Sequence, residues 1–444
     1  MNVLHAPPVP VVPVGLPPAV RLASLLDCGP KGKSRSRKLP AELTLALSVQ
    51  QCLTQNRSYR SVLAAYGSEL PRRKLPSESA YSQARARLST AQIDSAAASL
   101  SSHFARAAPS FLKGRRLLAL DAADFSVEDT AENREAWTYP SGQKPGCGFP
   151  VLGTLFSMAL DTGEMVALNI GKWSTHDLRL ALEAPSLFVP GGIHVGDRVF
   201  GAYVFLAAGL AAGADAICRV KAGRKLVRNR KRPLGSDSWL VEMERPKSSR
   251  ILQEDRLSEL PKTIPLRLVH AKIQIRGFRT EDLWVVTTLI DPSEYPDEEI
   301  LRAYGMRWDI EVAFRNVKTS MQADFLRVKT PEMARKVVRI FILSCNLVRL
   351  ILSATRLETE GKRLSFKTAL ELVERILWRL LAGEDLRKLV AERIQVIRSL
   401  LFKRRKRPQQ LRATKRRKQR YPYLTTDRKH YIEIPHIKKY CKGA

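Results

Sequence analysis

Glu311 stands among cations and aromatics in the stretch Tyr304 to Lys318, YGMRWDIEVAFRNVK. At about 100° per residue of a helix, Tyr304, Arg307, Trp308, Glu311, Arg315 and Lys318 share one face. Ala303, Met306, Ile310, Ala313, Phe314 and Val317 make an adjoining apolar stripe, and Asp309 and Asn316 are left to water. One helix thus offers a carboxylate flanked by cations on a face the core does not claim, and the rest of the chain must supply its partners. Two aspartates meet that need. Asp121 directly follows the apolar run LLAL, and Asp197 ends the short run IHVG. Asp124 competes with Asp121, but three residues along a strand is the opposite face, and the residue directly after the buried run is preferred. Asp161 and Asp177 fall in a turn and at a helix start, where capping is expected. Three hard oxygen donors suit Mg²⁺ or Mn²⁺. Two such ions about 4 Å apart can serve the two sides of a phosphodiester, so the implied chemistry is in-line phosphoryl transfer on nucleic acid.

The elements that must position these groups can be read in order. LLALDAADFSV is a strand reaching Asp121 and running on to Val127, and FPVLGTLFSMALDTGEMVALNIGKW is two strands about the turn Asp161-Thr162-Gly163. The polar EDTAENREAWTYPSGQKPGCG between them reads as a long loop. His176 to Phe188 reads as a short helix. A strand ending at Asp197, a helix from about 200 to 213 and a strand from Ala216 to Val220 follow. Strand, strand, strand, helix, strand, helix, strand is the order of a ribonuclease-H-like sheet once a closing helix is added. That order makes the first and fourth strands neighbours, which brings Asp121 and Asp197 together. About seventy residues, with pieces such as SWLVEM and DLWVVTTLI, intervene as a β-rich insertion that has Trp284 at its exit. Asp297 then caps the helix that carries Glu311, and Trp308 is read as wedging that helix against the sheet.

Composition points to the partner. The chain has 444 residues, 75 Lys and Arg against 43 Asp and Glu, and a formal charge of +32. Attraction to a polyanion is the default expectation, with nucleic acid first. A ribosomal or chromatin protein of this charge is usually shorter and poorer in Trp and strands, so charge names the partner rather than the activity. The six Cys lack CxxC pairing and read as reduced thiols in a cytosol. The proline-broken N-terminus cannot form a signal helix, and IFILSCNLV at 340 to 348 is too short to span a bilayer. The fold class is therefore α/β, a ribonuclease-H-like mixed sheet with a β-rich insertion, plus N-terminal and C-terminal helical regions. We divide it into a loose Pro-rich and basic tail (1–38), a helical domain for end binding or scaffolding (39–112), the first part of the catalytic core (113–220), the insertion (221–290), the closing helix (291–345) and a helical, basic C-terminal region for dimerisation or DNA binding (346–444). Within the last, residues 403 to 420 carry eleven Lys or Arg and no acid, a run suited to phosphate backbone.

The spacing Tyr304-x2-Arg307-x3-Glu311-x6-Lys318 matches the YREK signature of the insertion-sequence-four family of DDE transposases. ALDAADFSVEDTAEN and VGDRVFGAY resemble the flanks of that family's two aspartates. The likeness spans roughly 40 to 350. It departs at Ala122-Ala123, where Gly-Thr is common, and at Val199-Phe200, where Gly-Phe is common. The resemblance implies cut-and-paste transposition on DNA by a homodimer in the bacterial cytosol, with nicking, hairpin formation and strand transfer. Asp121, Asp197 and Glu311 would be the catalytic, metal-holding residues, with two Mg²⁺ or Mn²⁺ ions. Tyr304, Arg307 and Lys318, together with Arg315 on the same face, would contact DNA, and Trp284 resembles the aromatic on which that family stacks a flipped base. A structure-specific nuclease of the same fold, or a non-catalytic DNA-binding descendant, are the alternatives.

Overall fold

The computed structural model describes residues 22–29, 38–54, 58–70, 75–104, 111–140, 148–220, 232–273, 281–356, 365–399 and 430. The basic runs at 30–37, 221–231 and 403–420 lie outside them. The chain begins with five helices: α1 (Leu22–Leu25), α2 (Ala41–Leu53), α3 (Tyr59–Glu69), α4 (Glu78–Arg87) and α5 (Thr90–Ser102). Ser58, Ser77 and Ser89 accept backbone N–H groups at the starts of α3, α4 and α5, so the expected helical region from residue 39 is divided into short helices at serine caps. Within the expected loose tail, Leu25, Leu26 and Cys28 are buried, and α1 packs on α5.

Strand β1 (Leu117–Val127) is followed by α6 (Ala131–Ala136), inside the segment read as loop, then β2 (Val151–Ala159) and β3 (Met165–Lys172). β1, β2 and β3 are paired antiparallel as expected, and Gly163 turns β2 into β3 at φ +74°. Next come α7 (Asp177–Leu182), β4 (Ile193–Gly196), α8 (Tyr203–Ala211) and β5 (Asp215–Val220). β4 lies parallel between β1 and β5, giving the order β3-β2-β1-β4-β5 of a ribonuclease-H-like sheet. All nine residues of β2 are buried, as a strand covered on both faces requires.

The β-rich segment holds β6 (Arg232–Pro233), β7 (Ser238–Glu244), α9 (Glu254–Ser258), β8 (Thr263–Ile273) and β9 (Glu281–Thr287). It continues the central sheet: β9 pairs antiparallel with β5, and the order runs on through β8, β7 and β6. After it come α10 (Asp297–Met306), α11 (Trp308–Arg315), a π turn (Asn316–Ser320), β10 (Phe325–Leu326), which pairs parallel with β1, α12 (Pro331–Arg356), α13 (Phe366–Leu381) and α14 (Leu386–Ser399). Ala119, Ala123 and Phe125 of β1 face a core shared with α2–α5 and α10–α14, while Leu120 faces the core of α7, α8 and α9. Among the described residues no helix is long and apolar enough to cross a membrane.

Candidate active site

Asp121 sits mid-way along β1, in phase with Ala119, Ala123 and Phe125, and therefore faces α10 and α11. β4 pairs with β1 at 117–119 and β10 at 126–127. Among the described strands the edge between is left uncovered, and Asp197 follows the last residue of β4 at that gap. The turn holding Asp197 is tight. Its Oδ1 accepts the Val199 N–H at 2.8 Å, and a Cβ on Gly201 would stand 2.7 Å from the Arg219 backbone oxygen, so glycine lets the turn close against β5. Asp124 is in phase with Leu120 on the other face and bonds to Trp173. The preference for Asp121 agrees with this phase.

The stretch expected as one helix is broken. Arg307 donates its N–H to Tyr304 O at 3.1 Å and accepts from Ile310 N at 3.2 Å, a tightened 3₁₀-type passage between α10 and α11. Pro296, rather than Asp297, is the N-cap, and Asp297 instead pairs with the fully buried Arg267 of β8. Beyond α11 the Met321 N–H reaches back to Asn316 O at 3.0 Å, closing the π turn that carries Lys318. Such departures from the α ladder recur at functional sites.

The break buries Arg307 to 8% exposure, and its guanidinium bridges two of the carboxylates, 2.7 Å from Glu311 Oε1 and 3.8 Å from Asp121 Oδ2. Burial alone would lower the Arg307 pKa, but the bond to Glu311, with help from Tyr304 and Asp121, raises it. Burial pushes the Asp121 carboxyl up to about 6. The Ala122 N–H and Arg307 oppose that rise, and the charges of Asp197 and Glu311 add to it. Asp197 and Glu311 therefore both lie within electrostatic reach of Asp121. No three His, Cys, Asp or Glu among the described residues form a metal-holding cluster. Even so, the donor set is three hard carboxylates, one of them half-buried with its pKa raised by burial, and a side-chain cation spans two of them. That chemistry fits a divalent ion.

The remaining expected site residues divide. Burial holds Lys318 below the usual lysine range against the pull of Asp124, Asp324 and Asp121, and its Nζ lies 5.6 Å from the Phe125 ring centre. Burial raises the Tyr304 hydroxyl pKa, while Arg307 and Arg219 oppose it. Arg307, Lys318 and the two outer carboxylates are thus gathered around Asp121, with Tyr304 beside Arg307 and Asp197. Arg315 is exposed one turn further along α11. Trp284 is not gathered: it lies on β9, pairs with Val220 of β5 and belongs to the core on the far face of the sheet. It is 8% exposed, and the His270 ring stacks on it at 4.2 Å. Trp308, read as a wedge against the sheet, instead points outward at 53% exposure, because Ile310, Ala313 and Phe314 supply the buried side of α11. Arg219 was missed. It is in phase with Ile217 on the site's face of β5, and the signal was an arginine inside the apolar run AICRV.

The comparisons bear on this geometry. A family model described as Transposase DDE domain matches residues 112–347, and another, Insertion element 4 transposase N-terminal, matches residues 18–95. Transposase InsG for insertion sequence element IS4 of Escherichia coli strain K12 is 23% identical over 350 residues, 77% of each chain. The Escherichia coli transposase for insertion sequence element IS421 is 33% identical over 64 residues, 14% of this chain and 17% of that one. A cryo-EM structure of a piggyBac transposase synaptic complex with hairpin DNA shares 11% identity over 87% of this chain and 82% of its own, at a TM-score of 0.41, too distant to bear on the fold. The first model covers more than half of the chain and spans Asp121, Asp197 and Glu311, and the chain belongs to the insertion-sequence-four family of DDE transposases, metal-dependent enzymes of DNA transposition.

Proposed function

We propose that Asp121, Asp197 and Glu311 form the cutting and joining site for the ends of an insertion sequence. The observation that carries this reading is Arg307 spanning Asp121 and Glu311 while the charge of Asp197 presses on Asp121. The three carboxylates would hold Mg²⁺ or Mn²⁺, two ions in our reading, which supply Lewis acidity to the scissile phosphate when bound. Arg307 exchanges its carboxylate partners for phosphate oxygens, which its planar fork grips in pairs. Lys318 adds a point charge, and the Tyr304 hydroxyl and Arg315 contact the neighbouring backbone. Water attacks phosphorus in line and the bond to the 3′-oxygen breaks. The freed 3′-hydroxyl then attacks the opposite strand, forming one phosphorus–oxygen bond as another breaks, which leaves a hairpin. Two copies of the chain pair two ends in the bacterial cytosol.

Asp121→Ala, Asp197→Ala and Glu311→Ala should each abolish metal-dependent nicking of an element-end duplex on a denaturing gel and leave its binding within a few fold. Nicking retained by all three variants would overturn the assignment. Nicking without any hairpin or joined product in the unmodified chain would favour a nuclease of the same fold.

A further inference from the structure

A cavity of about 300 Å³ lies between α2, α3 and α13, walled by Leu53, Val62, Leu370 and Trp378. Ser320, the last residue of the π turn that carries Lys318, lines it too, so the cavity sits where the catalytic helix meets helices from both ends of the chain. Two carboxylates of α13, Glu371 and Glu374, reach the same space. They lie one turn apart, and among the described residues neither forms an ion pair, whereas Glu384 and Glu392 both hold Arg379 of the same helix. Lys367 lines the cavity as well, exposed and bonded to neither. Burial raises the Glu374 pKa; Arg375 opposes the rise and Glu371 adds to it.

A third acceptor stands behind them. Gln50 of α2, on the helix face of Leu53 and Thr54, is 0% exposed; its Nε2 donates to the Glu374 backbone oxygen at 3.1 Å, and its Oε1 receives no hydrogen bond. Buried polar atoms are normally satisfied, so an orphaned acceptor beside two unpaired carboxylates calls for a donor that bears positive charge. The walls call for an apolar stem. A divalent ion would leave those walls unused, and an anion would meet the glutamates. A linear polyamine, methylenes between ammonium groups, meets both demands, and about 300 Å³ is at the small end of ligand pockets. At +32 the chain as a whole repels small cations, so one that binds must be held by a local site. We propose that this cavity binds a free linear polyamine, its stem against Leu53, Val62, Leu370 and Trp378 and its ammonium groups on Glu371 and Glu374, and that the bound polyamine ties the π turn of Lys318 to α2, α3 and α13. The proposal stands apart from the reading of Asp121, Asp197 and Glu311.

The test uses the full chain without DNA or divalent metal, and spermidine as the probe. Spermidine should raise Tm along a saturating curve, while NaCl of equal ionic strength should not, because only a ligand bound to the folded state shifts unfolding in that way. Titration calorimetry gives the Kd. Glu371→Gln combined with Glu374→Gln should weaken that Kd about tenfold or more, since each loses a charge-assisted hydrogen bond. Without spermidine the paired variant should melt no lower than the parent, because an unpaired, half-buried charge has been removed. Ala65→Phe, which fills the cavity from α3, should also remove the response and still melt in one step. No saturable rise in the parent would overturn the proposal, as would an unchanged Kd in the Gln pair. The lysines of 403–420 carry the same chemistry and are tested by deleting that run. If the deletion, with no spermidine present, lowers Tm in the parent but not in the Gln pair, the run itself occupies the cavity and the free polyamine is ruled out.

Discussion

Asp121 carries a stability cost that its chemistry explains. Its pKa rises from 3.8 to about 6, with burial the largest cause. A carboxyl whose folded pKa exceeds its unfolded value binds its proton more tightly when folded, so stability falls as pH rises between those two values. Asp121→Asn removes the charge and keeps an oxygen for the Ala122 N–H, which Oδ1 accepts at 3.0 Å. We expect the variant to be about 1–2 kcal/mol more stable above pH 6, with the gain fading below pH 4, while nicking is lost. Urea unfolding at pH 7.5 and pH 3.5 checks this, and a variant less stable at pH 7.5 would contradict it. Asp121 and Asp197 were legible as candidates because each directly follows an apolar run, although an aspartate at a strand end is more often a turn or cap residue. Phase along the strand put Asp121 and Asp124 on opposite faces, and the position directly after the buried run made Asp121 the preferred one. The same device could not place Trp284, since Leu283, Trp284, Val285 and Val286 are all apolar and both faces of β9 are buried. Arg219 was hidden for the complementary reason: one charge inside a buried run reads as a defect until its neighbours are known.

At the scale of elements, the sequence showed which segments are helix and strand but not how they join. A wheel of constant step made one helix of Tyr304 to Lys318. The chain instead tightens at Arg307 and loosens into a π turn at Asn316. Those changes set Arg307 and Lys318 beside Asp121, a neighbour distant in sequence. Likewise the β-rich insertion between β5 and the closing helix extends the sheet through β9 and anchors α10, a pairing with β5 too long-range for periodicity to show. Arg267 of β8, fully buried, donates to Tyr295 O at 2.6 Å and to Asp297 at the start of α10. Removing one partner of a buried pair leaves an uncompensated charge, at a cost of about 3 kcal/mol or more. Asp297→Ala should therefore lower urea stability by that order and reduce nicking per folded molecule, since α10 leads into Arg307. Asp297→Asn, which keeps an acceptor for Arg267, should recover most of both. An Ala variant of normal stability would show that β8 does not hold the helix.

At the scale of the molecule, helices at both ends of the sequence and the catalytic sheet share one apolar core. α12 joins them: it packs on α2, α5 and α13, and Asn346 clamps the Met165 backbone of β3 through both its N–H and carbonyl, each at 2.9 Å. Such docking is invisible in periodicity, which says that a helix has an apolar face and not what covers it. Charge, by contrast, is fully legible, and at +32 it makes long-range attraction to DNA a property of the whole chain. The densest part is the run 403–420, with eleven Lys or Arg and no acid. Each phosphate it neutralises releases counterions, so deleting the run should make the slope of log K against log salt shallower by about 0.9 for every phosphate no longer neutralised. A chain lacking 403–420 should bind element-end and unrelated duplexes more weakly in 50 mM salt, with a slope shallower by several units, and should keep its nicking rate at saturating DNA. Fluorescence anisotropy over a salt series measures the slope directly. An unchanged slope would place the electrostatic grip on the folded face around Arg307, Arg315 and Lys318 instead, and a nicking rate that fell even at saturation would make the run part of the site's geometry rather than of its attraction to DNA.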